Sequence, residues 1–144
     1  MATISNDGTE LIEHFEGFRA FPYLDAAGHL TVGVGHLVHK GEEFSAGISE
    51  AQARELLRLD LADAESAVNR LIYIDLEQHQ FDALVSFTFN LGGGALQRST
   101  LRRCVNRGDH QKAADQFLRW VYAKGRKLRG LELRRMAERL MYLG

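Results

Sequence analysis

The sequence predicts an α+β fold, with a small antiparallel β-sheet lobe followed by a predominantly helical lobe and one long helix joining them. Three observations carry this reading. Strand-favouring residues gather around a glycine-containing break between Phe21 and His36. From Ser49 onward apolar residues recur at helical spacing. Charge divides along the chain in a similar way. Residues 1–97 hold 5 Lys+Arg against 15 Asp+Glu, a net of −10, and residues 98–144 hold 13 against 4, a net of +9. The 144 residues fit one domain that buries a core without covalent staples. Within it the lobes are expected at about 15–60 and 61–144, with the N-terminal helix packed on the second.

In chain order, Ser5 or Asn6 can cap a first helix that carries Leu11, Ile12 and Phe15 on one face, follows Ile4 and fades near Glu16-Gly17. Pro22 cannot donate to a ladder and is expected at a strand start. F-P-Y-L-D, the break A-A-G and H-L-T-V-G-V-G-H then read as a β-hairpin, and L-V-H-K-G-E-E-F-S-A-G as loop. Ser49 and Gln52 form a capping box. The helix they open, with Leu56, Leu57, Leu59, Leu61, Ala64 and Val68, is expected over about 50–70 as the connector. Leu76, Phe81, Leu84, Val85 and Phe89 make the stripe of a further helix, broken at N-L-G-G-G. Helices follow over roughly 99–106, 110–122 (capped by Asp109) and 131–142, with K-G-R-K-L-R-G before the last.

Composition narrows the function. Cys104 is the only cysteine, so it forms no intramolecular disulfide, and it reads as a small buried hydrophobe. The N-terminal residues lack a basic region followed by an apolar run, so no signal peptide is expected. No apolar window approaches a membrane span. A substrate outside the cytoplasm would require another component to provide passage. The basic C-terminal third suggests a polyanionic partner, either nucleic acid or a bacterial envelope polymer. Arg102, Lys124 and Lys127 are its expected exposed charges.

The chemistry is concentrated in E-G-F-R-A-F-P-Y-L-D-A-A-G-H-L-T-V-G-V-G-H, residues 16–36. Glu16 falls at a helix end, Asp25 at the hairpin turn and Thr31 on the returning strand, which together make one wall of a cleft. Glycoside hydrolysis needs a protonated carboxyl group for the leaving oxygen and an ionised one for water or the oxocarbenium-like centre. A Glu and an Asp nine residues apart do not establish this alone. The string E-x8-D-x5-T followed by V-G-V-G-H, however, resembles the signature of phage-type lysozymes (endolysins), glycoside hydrolase family 24. F-x-F-N-L-G at 87–92, S-T-L at 99–101, Trp120 and G-L-x-L-R-R-x-A-E at 130–138 are similar to further blocks of lambdoid-phage endolysins.

The resemblance implies a lysozyme-like fold and hydrolysis of the β-1,4 bond between N-acetylmuramic acid and N-acetylglucosamine in peptidoglycan. It implies Glu16 as general acid, Asp25 and Thr31 as the groups that hold and activate water, and Leu37, Phe89 and Thr100 along the sugar cleft. One of Arg134 and Arg135 would approach Glu16. His36 would pair with Asp60 on the connector helix, raising the His36 pKa and lowering that of Asp60. It further implies a monomer that awaits release from the host cytoplasm by a holin and acts on the cell wall to lyse the host. Nucleic acid is then no longer the expected polyanion.

Other readings of these residues are weaker. Gly33 and Gly35 lack the third glycine or the G-K-[ST] ending of a phosphate loop. The six histidines include no H-E-x-x-H, and His36-x-x-His39 alone does not make a metal site, so neither metal nor cofactor is expected. A wall-binding module would need neither Glu16 nor Asp25. A lytic transglycosylase would need an acid but no water-activating Asp25 and Thr31.

Overall fold

The computed structural model describes all 144 residues, Met1–Gly144. Seven helices and two small antiparallel sheets follow one another in the order α1 (Asn6–Glu16), β1 (Arg19–Leu24), β2 (Leu30–Gly33), β3 (His36–Leu37), α2 (Glu50–Leu71), α3 (Gln78–Leu91), α4 (Gly93–Arg98), α5 (Thr100–Asn106), α6 (His110–Phe117), β4 (Tyr122–Ala123), β5 (Arg126–Lys127) and α7 (Arg129–Leu143). No helix is long and apolar enough to cross a membrane.

Helix α1 begins where Ser5 Oγ accepts the Gly8 N–H, and it stops where the Gly17 N–H closes the last turn on Glu13. Its N-terminus is anchored to α3. Ser5 donates its backbone N–H to Asp82 Oδ1 at 3.0 Å and its hydroxyl to Asp82 Oδ2, while the Ile4 N–H reaches Glu65 on α2 at 2.7 Å. The opposite end of α1 is thereby fixed too, and Glu16 sits in it.

Strands β1, β2 and β3 form one sheet in that order, with Tyr23 opposite Thr31 and Thr31 opposite Leu37. Pro22 lies inside β1, not at its start. The ladder is irregular between Arg19 and Tyr23, and β1 is an edge strand, so the missing N–H breaks no required bond. The short third strand, which brings His36 and Leu37 back onto β2, was not anticipated. Two residues carry too little alternation to stand out from the loop around them.

The Ser49–Gln52 capping box opens α2, which buries Leu57, Leu61, Ala64 and Val68 and leaves Leu59 exposed. Its last carbonyl groups are met from α5, where Arg102 Nε and Asn106 Nδ2 donate to Leu71 O at 2.9 and 3.0 Å. Arg102 also reaches Gln97 O and the Tyr73 hydroxyl. It is therefore a structural clamp and not the free surface charge that composition suggested. Lys127 is exposed, as expected, and lies 3.6 Å from Glu132.

Helix α3 is the axis of the core, and every residue from Gln80 to Thr88 is buried. Helices α1, α2, α4 and α7 pack around it, and α5 and α6 complete the apolar cluster with Leu101, Cys104, Val105, Ala113, Ala114 and Phe117. Cys104 is free and buried, the packing residue expected. The N-L-G-G-G break ends α3 at Gly92, but α4 starts at once from Gly93. Ala95 and Leu96 bury against the core there, and that tertiary gain outweighs the low helix propensity of two glycines.

Helix α6 is shorter than the 110–122 expected and ends at Phe117. Three i−3 turns then carry the chain to Trp120, whose ring meets Phe87 edge-on at 5.3 Å. Asp109 occupies the N-cap position of α6, but its carboxylate makes no capping bond and lies 4.0 Å from Lys112. The stretch 122–127 forms a second hairpin, with positive φ at both Lys124 (52°) and Gly125 (76°), as a tight two-residue turn requires. Its tip reaches the β1–β2 turn, since a side-chain carbon placed on Gly28 would lie 3.7 Å from Lys124 Nζ.

The sheet is fastened to α2 by His36. Its Nδ1 lies 2.8 Å from Asp60 Oδ2 and its Nε2 3.0 Å from Glu42 Oε1, and the His36 side chain is buried. Burial works to lower the His36 pKa, but the bonds to Asp60 and Glu42 and their charges outweigh it and hold it above 6.5. Glu42 is held below 4.5, first by the His39 N–H and further by His36. Asp60 departs from expectation. Burial pushes its pKa up, and His36 only partly offsets this.

These directions define a pH window. The His36 contribution is complete below its unfolded value of 6.5 and is lost as pH rises through the raised folded value. The Glu42 contribution is present above 4.5 and is lost as pH falls through the lowered folded value. The raised Asp60 works against the cluster once it ionises, so its share shrinks as pH rises. The cluster should stabilise most between pH 4.5 and 6.5. In chelator-treated buffer, a double-mutant cycle of His36→Asn and Asp60→Asn at pH 5.5 should show coupling of about 1 kcal/mol, in the range for contacting residues with partly exposed partners. The coupling should fall by pH 8.5, and a pH-independent value would mean that packing alone is measured.

Candidate active site

Glu16 projects from the last turn of α1 and packs on Gly35, between β2 and β3. A Cβ on Gly35 would stand 2.7 Å from Glu16 Oε1, and the backbone there has φ +70°, so both space and conformation require glycine. Glu16 Oε2 accepts a hydrogen bond from Arg134 Nη1 at 2.7 Å. This decides which of the two adjacent arginines approaches Glu16. Arg134 faces it, while Arg135 turns inward to Asn90 Oδ1 (2.8 Å) and Trp120 O (3.3 Å).

Both arginines are buried and share Glu138, which is fully buried. Glu138 Oε2 accepts from Arg134 Nε at 3.2 Å and from Ser86 Oγ at 2.5 Å, and Oε1 lies 2.8 Å from Arg135 Nε. Burial lowers the Arg135 pKa, and the charge of Glu138 opposes that. Arg134 therefore has two carboxylate partners, one inside the core and one at the site.

Asp25 stands at the β1–β2 turn. Its Oδ1 accepts the backbone N–H groups of Ala27 (2.9 Å) and His29 (2.8 Å), which builds the turn and leaves Oδ2 outward, 3.5 Å from His29 Nδ1. Thr31 is buried on β2, and its hydroxyl donates to His29 O at 2.9 Å. That anchors the rotor and leaves the oxygen lone pairs as acceptors.

Tyr23 was not singled out from the sequence. It pairs across the ladder with Thr31 and lies two residues before Asp25, so strand alternation puts it on their face. Burial raises its pKa, and the negative charges of Glu16 and Asp25 raise it further, with Arg19 working against them. Arg19 lies over its ring, 4.4 Å from the centroid. Glu138 was also missed. Its spacing of three and four residues from Arg135 and Arg134 was the available signal.

A cavity of about 510 Å³ begins at Gly35, beside Glu16, and runs between the sheet and α2 and α3. Leu37 and Phe89 line it, with Arg70 and Asp63 on the α2 side. Thr88 lines it too, with its Oγ1 buried and without an internal hydrogen-bond partner. Thr100 lies elsewhere. It is exposed at the start of α5, accepts from Arg103 Nη2 at 2.9 Å, and does not line this cavity.

Comparison with known proteins identifies the family. The phage lysozyme family model matches residues 13–138. The chain is 42% identical to an endolysin of Bacillus phage B103 over 97% of its own length, and it spans about half, 54%, of that longer protein. It is 38% identical to the endolysin of Salmonella phage P22, covering 99% of each chain. The muramidase domain of SpmX from Asticaccaulis excentricus has a similar structure, with a TM-score of 0.90, 36% identity and coverage of 100% of this chain and 99% of that one. With a matched model across 126 of 144 positions and a relative matched end to end, the chain belongs to the phage lysozyme family, as a lysozyme-type glycoside hydrolase.

Proposed function

We propose that this muramidase hydrolyses the β-1,4 bond between N-acetylmuramic acid and N-acetylglucosamine with Glu16 as general acid and Asp25, assisted by Thr31, as the group that activates water. The observation that carries the reading is the placement of Glu16, pinned by Arg134 and packed on Gly35 at the cavity, just past the hairpin that bears Asp25 and Thr31. The cleft then lies between a sheet lobe, about 15–60, and a helical lobe, about 61–144. Leu37 and Phe89 offer apolar contact to the sugar rings.

Each group has one atom committed to structure and one left for chemistry. Arg134 holds Glu16 Oε2, so the transferable proton belongs on Oε1. When Glu16 is neutral, Arg134 keeps Glu138 as its partner, so protonation does not strand a buried cation. As the glycosidic bond breaks, the Oε1 proton passes to the leaving 4-oxygen. Water adds to C1 of the muramic acid residue and gives a proton to Asp25 Oδ2, with Thr31 Oγ1 accepting from the same water. Glu16 ends ionised and Asp25 protonated, and exchange with solvent restores both. Passage from the host cytoplasm through a membrane opened by a holin completes the lytic role in this reading, with the enzyme acting as a monomer on the wall.

Mass spectrometry of digested peptidoglycan tests the reaction. Fragments should end in reducing N-acetylmuramic acid. A 1,6-anhydro end would show transglycosylation, and no release would show a binding module.

Glu16→Gln should lower turnover on purified peptidoglycan by at least about 100-fold, the lower end for general acid catalysis. Its melting temperature should stay close to that of the parent, because the amide oxygen can still accept from Arg134. Turnover near the parent level would remove Glu16 from the chemistry.

Asp25→Asn should abolish most hydrolysis, and Asp25→Cys should retain more, since a thiolate can take up a proton. Thr31→Ala should lose activity with less change in stability than activity. Normal rates in all three variants would exclude a water held by this hairpin.

The exposed side chains of Arg119, Arg126 and Arg129 form no ion pair, whereas Lys127 lies near Glu132 and Arg102 is held by hydrogen bonds to carbonyls and to the Tyr73 hydroxyl. Reversing the three to Glu should weaken binding to intact anionic walls at 0.1 M salt, where the screening length is about 10 Å, and should matter little at 1 M, where it is about 3 Å. Sedimentation with purified walls measures this. Equal binding by parent and variant at low salt would mean that these charges serve only solubility.

A further inference from the structure

We propose that His36, His39 and Glu42 form a binding site for a divalent transition-metal ion of the zinc type at the rim of the cleft, with Asp60 orienting His36. In sequence, His36-x-x-His39 alone does not make a metal site. Folding adds a third donor and a supporting shell around it.

The donor atoms converge for a local reason. Strand β3 ends at Leu37, and the chain then turns so that the Glu42 N–H bonds His39 O at 3.0 Å. This turn brings Glu42 back onto His36, with Nε2 3.0 Å from Oε1 and 3.3 Å from Oε2. The His39 ring stands edge-on to His36, 5.4 Å between centroids. One ligand atom from each of the three residues falls within 4.8 Å of the others. A tetrahedral ion with ligands at about 2.0–2.2 Å needs them about 3.3 Å apart, so a small side-chain rotation of exposed His39 closes the site.

Two of the ligands are already held from behind. His36 Nδ1 bonds Asp60 Oδ2 at 2.8 Å, the carboxylate–histidine arrangement that fixes the tautomer and leaves Nε2 as the metal donor. Glu42 Oε1 accepts the His39 backbone N–H at 2.7 Å, which fixes the carboxylate. The donor set of two imidazoles and one carboxylate suits Zn²⁺ and its neighbours, while Mg²⁺ and Ca²⁺ prefer oxygen alone. Three protein ligands leave a fourth position for water. His39 and Asp60 also line the cavity that holds Leu37 and Phe89, so the bound ion would stand beside the sugar-binding region and tie the 36–42 segment to α2.

The test uses the full chain freed of metal with EDTA and then dialysed, with Zn²⁺ as the probe and Mg²⁺ as control. Isothermal titration should show one Zn²⁺ per chain, and Zn²⁺ should raise the melting temperature while Mg²⁺ does not. Co²⁺ should give the intense visible absorption of a four-coordinate centre. His39→Ala and Glu42→Gln, both at solvent-reached positions, should each weaken Zn²⁺ by more than tenfold while folding, and Asp60→Asn should weaken it by about 10–100-fold as a supporting residue. No Zn²⁺ heat and no thermal shift at millimolar Zn²⁺ would overturn the proposal. So would binding that persists in His39→Ala and Glu42→Gln, or an equal response to Mg²⁺.

Discussion

Arg134, Arg135 and Glu138 lie almost without solvent inside the helical lobe, and the placement of the surrounding elements follows from satisfying them. Charges taken out of water are tolerated only when paired and hydrogen-bonded, and removing one partner of such a set costs about 3–5 kcal/mol. Here the partners come from three other parts of the chain. Ser86 and Asn90 on α3, Trp120 O after α6, and Glu16 at the end of α1 all converge on α7. The cluster is thus a register device. It holds α7 against α3, takes up the Trp120 carbonyl beyond the end of α6, and ties the tip of α1 where Glu16 meets Gly35.

The same cluster links stability to chemistry. Arg134 has one carboxylate in the core and one at the site, so the carboxyl proposed as general acid is positioned by a residue that is itself immobilised. A group held this way loses little freedom when substrate arrives, and preorganisation of this kind is how a rigid scaffold contributes to a rate. On the other side of the cleft, Asp25 and Thr31 are held by the turn they belong to, through the Ala27 and His29 N–H groups and the His29 carbonyl. One wall is organised by long-range contacts and the other by local ones.

The His36 cluster has the corresponding role for the sheet. The cluster ties His36 on β3 to α2 through Asp60, while Glu42 braces the same imidazole from the loop after β3. The cluster shares the cavity rim with Leu37, since His39 and Asp60 line the same cavity.

What the sequence determined by itself were the features with short-range causes. The Ser5 and Ser49 caps, the 3.6-residue stripe of α2, the β1–β2 hairpin and the placing of Asp25 at its turn all depend on residues within a few positions of one another. The family signature over residues 16–36 was legible because its spacing is local too. Only the tertiary structure decided which arginine meets Glu16, that Arg102 is a clamp, that Asp60 is pushed up by burial where a lowered value was expected, and that α4 forms on glycines while α6 stops at Phe117. Each of these depends on what is brought near from far along the chain. Burial, desolvation and the partner of a buried charge are properties of the packed molecule, and no spacing along the chain encodes them.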